Sequence, residues 1–219
     1  TEHLPALNSA YVSFLKRDRD HRHLHVTEHS FPTRHSSDLT SAQAAALTTA
    51  QMANLSTDDV EVLTTAALRA LSTAQLAALT TDQLPALKVA QVAALTTDQV
   101  ASLTTGDLNS LTTAQMRALT TAQAAALTTA QVANLTTDDV AALTTAAVKA
   151  LSTDQIVALT TAQVVALGSA QVAALTSTQA AAMPTAHLAA IASADVATLT
   201  AAALKALSTA QLAALSTDQ

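Results

Sequence analysis

The sequence predicts an all-α fold: a solenoid of very short capped helices, one per eight-residue repeat. Three observations predict it: a leucine period of eight, a helix-start signal in nearly every period, and charges sorted by position within it. Leucine stands at Leu39, Leu47, Leu55, Leu63, Leu71 and every eighth residue to Leu215, with only Met183 and Ile191 in its place. No insertion or deletion breaks the register, and the consensus is L-[TS]-T-x-[QD]-[VLIMA]-x-A.

One unit, Leu127 to Asn134, carries three start signals at once. Thr128 suits an N-cap, because its hydroxyl can accept from a free amide of the first turn. Gln131 stands three residues on and can reach back to the cap amide, completing a capping box. Leu127 and Val132 then occupy the two ends of a hydrophobic staple. Charge placement tests the same reading independently. Asp58, Asp59, Asp82, Asp98, Asp107, Asp138, Asp139, Asp154, Asp195 and Asp218 sit three or four places after the octad leucine. Arg69, Arg117, Lys149 and Lys205 sit six places after it, leaving Glu61 and Lys88 as the exceptions. Acids in a first turn and bases in a last turn suit the helix dipole. The sorting calls for a new helix in every octad.

A single long helix is excluded by geometry. Eight residues at ~100° each rotate the leucine row by roughly 80° per octad, so no fixed apolar face forms. A plain strand is excluded too, since the leucine and the residue five places on would face opposite sides. Helices of about six residues, ~9 Å long, are expected. Such helices are marginal alone in water and must stack, each octad burying its leucine and valine against neighbours. Antiparallel pairs give sixteen residues per coil and triangular coils twenty-four, and both remain open. Gly106 and Gly168 are the only glycines, so glycine cannot be the general stop signal. Each octad leucine is expected to end one helix and staple the next. Pro85, with Lys88 and Val89 in place of the cap pair, marks Leu84 to Val89 as the weakest boundary. Pro184 and Gly168-Ser169 alter two other caps. Leu47 to Thr80 closely matches Leu127 to Thr160, ten octads on, which suggests duplication of a larger block.

Three segments follow along the chain: 1–15, a possible degenerate repeat; 16–38, a charged stretch rich in histidine; and 39–219, the octapeptide array. In the first, Leu7 and Leu15 fall in phase with Leu39, and Asn8 stands at the cap position. In the second, His21, His23, His25, His29 and His35 suit a metal reading, since imidazole ligates zinc, copper and nickel. A solvated, disordered linker is the plainer alternative. The chain opens on Thr1 and stops inside an octad, as expected of a fragment of a longer array.

Composition narrows the function classes. Tyr11, Phe14 and Phe31 all precede the array, so its core is aliphatic. A net charge of −6 argues against nucleic acid or an anionic membrane as partner. The absence of cysteine excludes disulfides and thiol chemistry. No apolar run is long enough to span a bilayer, so no membrane insertion is expected. No serine–histidine–acid group sits in a nucleophile context, and no glycine loop suits phosphate. His187, at the usual glutamine position, reads as a helix-terminus substitute. Asp58-Asp59 and Asp138-Asp139 read as first-turn acids, because no glycine-bearing calcium loop surrounds them. No catalytic, cofactor-binding or metal residues are assigned, no cofactor is expected, and the chain is not read as an enzyme.

Three resemblances add to this. His29-Ser-Phe-Pro-Thr-Arg-His-Ser-Ser-Asp-Leu39 resembles the in-frame translation of a widely used sequencing-library adapter, with His35 where that peptide has arginine. On this reading 16–38 is adapter-derived and leaves the fold argument. Leu159 to Ser169 is similar to the first helix of TAL-effector DNA-binding repeats, but those are about four times longer and carry a base-reading pair that this array lacks. The array itself, 39–219, resembles the tandem octapeptides of very long bacterial surface or secreted proteins, some labelled haem utilisation or adhesion. That resemblance implies a spacer or protein-interaction scaffold, an extracellular or cell-surface location, and protein or cell-surface partners. The alternative is a ligand surface in which rows of Thr-Thr pairs meet ice or glycan.

Overall fold

The structure is a computed structural model, and the fold is described for residues 39–219. The degenerate octad of 1–15, the histidines from His21 to His35 and the adapter-like stretch lie outside the described residues. Among the described residues there are twenty-one short α-helices, about eight residues apart, and no strands. They fall into two compact units, one ending at Ala94 and the other running Leu95–Gln219.

Most helices start as the sequence predicts. At Thr153–Ala158 the cap Ser152 is extended, its Oγ accepts from Gln155 N at 3.1 Å, and its own N–H donates to Gln155 Oε1 at 2.6 Å. The same box recurs at Thr97–Ser102, Thr121–Ala126, Thr129–Asn134 and most other helices. Gly168 keeps half of it: its N–H reaches Gln171 Oε1 at 2.9 Å, with no hydroxyl to return the bond.

The stop is equally regular and needs no glycine. Leu151, Leu159 and their equivalents are C-caps with φ near −60° and ψ near 140°, ordinary extended backbone. The amide of Leu151 bonds Val148 O at 3.2 Å, tightening the last turn to a 3₁₀ geometry. The octad leucine is the C-cap in about half of the helices; in others, such as Ser41–Ala45 and Thr161–Val165, the C-cap is the alanine before it, and the leucine amide still bonds the carbonyl three residues back.

Packing chooses between the two coil sizes. In the first unit Ser41–Ala45 packs on Thr65–Ala70, and Thr49–Ala53 on Thr73–Leu76. In the second unit Thr121–Ala126 packs on both Thr97–Ser102 and Thr145–Ala150, and Ser177–Ala182 on Ala201–Ala206. Every such pair is three octads apart, so within each unit a coil has three helices and twenty-four residues. Three positions per octad are buried: the leucine, the residue four on and the residue five on. Leu127 is 4% exposed and Val132 1%, and such leucines each contribute on the order of 2 kcal/mol.

The weak boundary behaves as its residues demand. Pro85 has no N–H for an α-helical bond, and Leu84–Ala86 is a 3₁₀ turn, the one octad of the first unit without an α-helix among the described residues. Lys88 and Glu61, the two exceptions to the charge rule, meet there at 3.7 Å, both exposed.

Candidate functional site

The position that does most in this array is the buried one four places after the leucine. Sequence reasoning assigned its glutamine only half a role. Fifteen octads carry glutamine there, and Asp59, Asp107, Asp139, Asp195, Ala67, Ala147, Ala203 and His187 fill the rest. The Oε1 of Gln155 accepts from its own cap amide. Its Nε2 donates into the coil below, to Leu127 O at 2.6 Å, Ala124 O at 3.0 Å and Ala125 O at 3.3 Å. Gln163 likewise reaches Leu135 O and Val132 O, Gln171 reaches Leu143 O, and Gln179 reaches Leu151 O, at 2.7–2.8 Å. In the first unit Gln75, Gln83 and Gln91 repeat the pattern on Leu47, Leu55 and Leu63. The offset to the leucine carbonyl is always 28 residues.

This ladder answers two structural questions at once. A helix ends with carbonyls that lack partners, and these must be satisfied when buried. Here the last carbonyls of one coil are capped by the amide that also closes the first turn of a helix in the next. It also accounts for a composition the capping box alone does not. A box accepts glutamate as readily as glutamine, yet no octad has glutamate at this place. Glutamate has no N–H to give the carbonyls below. That missing residue was the signal in the sequence.

Asp59, Asp107 and Asp139 serve the cap, whereas Asp195, whose cap residue is Ala192, accepts from Ser169 Oγ instead. Asp139, 4% exposed, accepts from Thr136 N at 3.1 Å and Thr136 Oγ1 at 2.6 Å. Asp59 does the same at Ser56. Asp58 and Asp138 beside them are exposed, so neither pair converges on a common ion position. Among the described residues no three His, Cys, Asp or Glu side chains are grouped to hold a metal ion. No helix among them is long and apolar enough to cross a membrane. His187 occupies the ladder position over Leu159 and hydrogen-bonds its backbone.

The Thr-Thr pairs divide into two roles. The first threonine is held by the cap, as Thr160 Oγ1 accepts from Gln163 N at 3.2 Å. The second opens the helix and is exposed at Thr113, Thr137 and Thr161, and Thr185 and Thr209, which follow Pro184 and Ser208, continue that column once per coil. A surface depression of about 540 Å³ lies elsewhere on the second unit, lined in part by Lys149, Thr145, Ala173, Leu175, Thr176 and Thr200. It adjoins the octad of Ala203, where a ladder glutamine is missing. Ala203→Gln should restore the bonds to the Leu175 and Val172 carbonyls and raise stability by about 1 kcal/mol. A rise of a few degrees in Tm would register it, and an unchanged or lower Tm would contradict the ladder account.

The ALTTAQ repeat family matches residues 52–89, 101–137, 132–168, 157–185 and 188–219. The chain belongs to that family. The ALTTAQ array is thus the greater part of the chain, and its namesake glutamine is the inter-coil donor just described. No curated protein and no solved structure matches the chain.

Proposed function

We propose that this ALTTAQ array is a structural segment, a spacer or protein-interaction scaffold, in a large bacterial surface or secreted protein, and that it performs no catalysis. The observation that carries this reading is the glutamine ladder. Most of the polar side chains buried in the array are ladder glutamines, which hold one coil to the next at a fixed offset that any number of octads can continue. A unit that joins identically to its neighbours is suited to setting a length. The resemblance to long bacterial surface arrays supplies the location and the class of partner.

The test is to lengthen the second unit by whole coils. One or two extra copies of residues 119–142, inserted after Ala142 of the full chain, should each add about 8–10 Å to the maximum dimension in solution scattering, the spacing of packed helices. Growth without a constant increment would overturn the spacer reading. The exposed column Thr113, Thr137, Thr161, Thr185 and Thr209 favours a second reading, a hydroxyl–methyl face for ice or glycan. Inhibition of ice recrystallisation by the full chain, lost on changing Thr137 and Thr161 to Lys, would establish that instead.

A further inference from the structure

One octad places a histidine at the ladder position and a proline at its cap. In the others with a capping box, a glutamine or aspartate oxygen takes the N–H of the cap residue. The cap of Thr185–Ala190 is Pro184, which has none. Position 187 is histidine, only 6% exposed. One ring nitrogen bonds the Leu159 backbone, 28 residues back, as a glutamine would. The other, Nδ1, is buried with no hydrogen-bond partner. We propose that this Pro184–His187 pair is a proton-sensitive break in the array, at which acidification to pH 5 opens the segments 160–166 and 184–190 while the coils of 119–142 stay closed.

The neutral ring fits this place. Its Nε2–H donates to the Leu159 backbone, and its bare Nδ1 lone pair is left without a donor, Pro184 having no N–H to offer. The charged ring does not fit. Protonation gives Nδ1 a hydrogen with no acceptor, in a site dry enough that an unmade bond is costly. No carboxylate offsets the charge. Thr185–Ala190 packs on Thr161–Val165 and Thr209–Ala213, and neither octad, 159–166 or 207–214, contains a titratable side chain. On the next helix, Ser193–Val196, Asp195 accepts from Ser169 Oγ. Burial accordingly holds the His187 pKa below its ordinary value, against the raising effect of the Leu159 bond. The sign follows: a histidine with a depressed folded pKa leaves stability intact above the unfolded value. Stability is lost as pH falls below that value toward the folded one.

Amide hydrogen exchange of the full chain reads this by segment. After correction for intrinsic exchange, protection of 160–166 and 184–190 should fall several-fold from pH 7.5 to pH 5.0, because the opened state takes up the proton more readily than the closed one. Protection of 119–142 should hold constant. His187→Gln and His187→Ala, which have no proton to take up, should both abolish the fall. A parent chain with equal protection at both pH values would overturn the proposal. So would the same fall in both variants, which would place the titrating group elsewhere.

Discussion

Gln155→Glu should be among the most damaging isosteric changes in the array at neutral pH and far milder in acid. The parent amide lies 2.6, 3.0 and 3.3 Å from the carbonyls of Leu127, Ala124 and Ala125, and Gln155 is 2% exposed. One carboxylate oxygen can still accept from Ser152 N. The other would meet those carbonyl oxygens with no hydrogen between them. An uncompensated buried charge of this kind costs about 3–5 kcal/mol. Gln155→Ala forfeits the bonds without adding the charge and should cost about 1–2 kcal/mol, since Ala67, Ala147 and Ala203 already stand at ladder positions.

The pH dependence follows from the same geometry. Burial and the facing carbonyl dipoles both favour the protonated acid, which can donate to Leu127 O, so its folded pKa lies above the unfolded ~4.3. The variant is then least impaired below ~4.3, and the penalty grows as pH rises through the folded pKa. Urea unfolding of parent, Gln155→Ala and Gln155→Glu at pH 4 and pH 7 separates these terms. If Glu and Ala cost the same at pH 7, the carbonyls are not what the glutamine serves.

Removing one residue should do more harm than removing eight. Without Ala130, Gln131 and Gln155 stand 27 rather than 28 residues after Leu103 and Leu127, the carbonyls they reach at 2.7 and 2.6 Å. The buried leucines above and below the cut lose alignment at the same time. Two ladder steps and the misfitted core together cost more than ~5 kcal/mol, or roughly 10–20 °C in Tm for a unit this size. Deleting the whole octad 127–134 instead restores every offset. Gln155 then stands 28 residues after Leu119, a carbonyl that Ala147 leaves without a glutamine, and Tm should move by only a few degrees. Thermal melts of the two deletions decide it. If the shorter deletion is the milder one, the ladder does not set the register. This requirement also gives a physical reason for the unbroken period from Leu39 to Leu215.

Much of the fold is legible because its signals are local. A cap threonine and a box glutamine lie three residues apart, so Thr128 and Gln131 announce the start of Thr129–Asn134 without any knowledge of the rest of the chain. Pro85 announces the failed helix at Leu84–Ala86 for the same reason, by lacking an N–H within its own turn. The charges announce helix polarity. The pairing of Glu61 with Lys88 was invisible, because it joins octads that the sequence does not place side by side.

Which donor serves the last carbonyls of each helix, and how many helices make a coil, only the tertiary structure decided. The donor for the Leu127 carbonyl is Gln155, a whole coil and four residues away. Nothing local to Leu127 points to it. The coil size was hidden by the repetition itself. When every octad is nearly the same, a partner two octads away and a partner three octads away present the same side chains, and no pattern in the sequence distinguishes them. Closure is settled instead by how three short helices turn their leucines, their ladder glutamines and the valines beside them onto one shared interior.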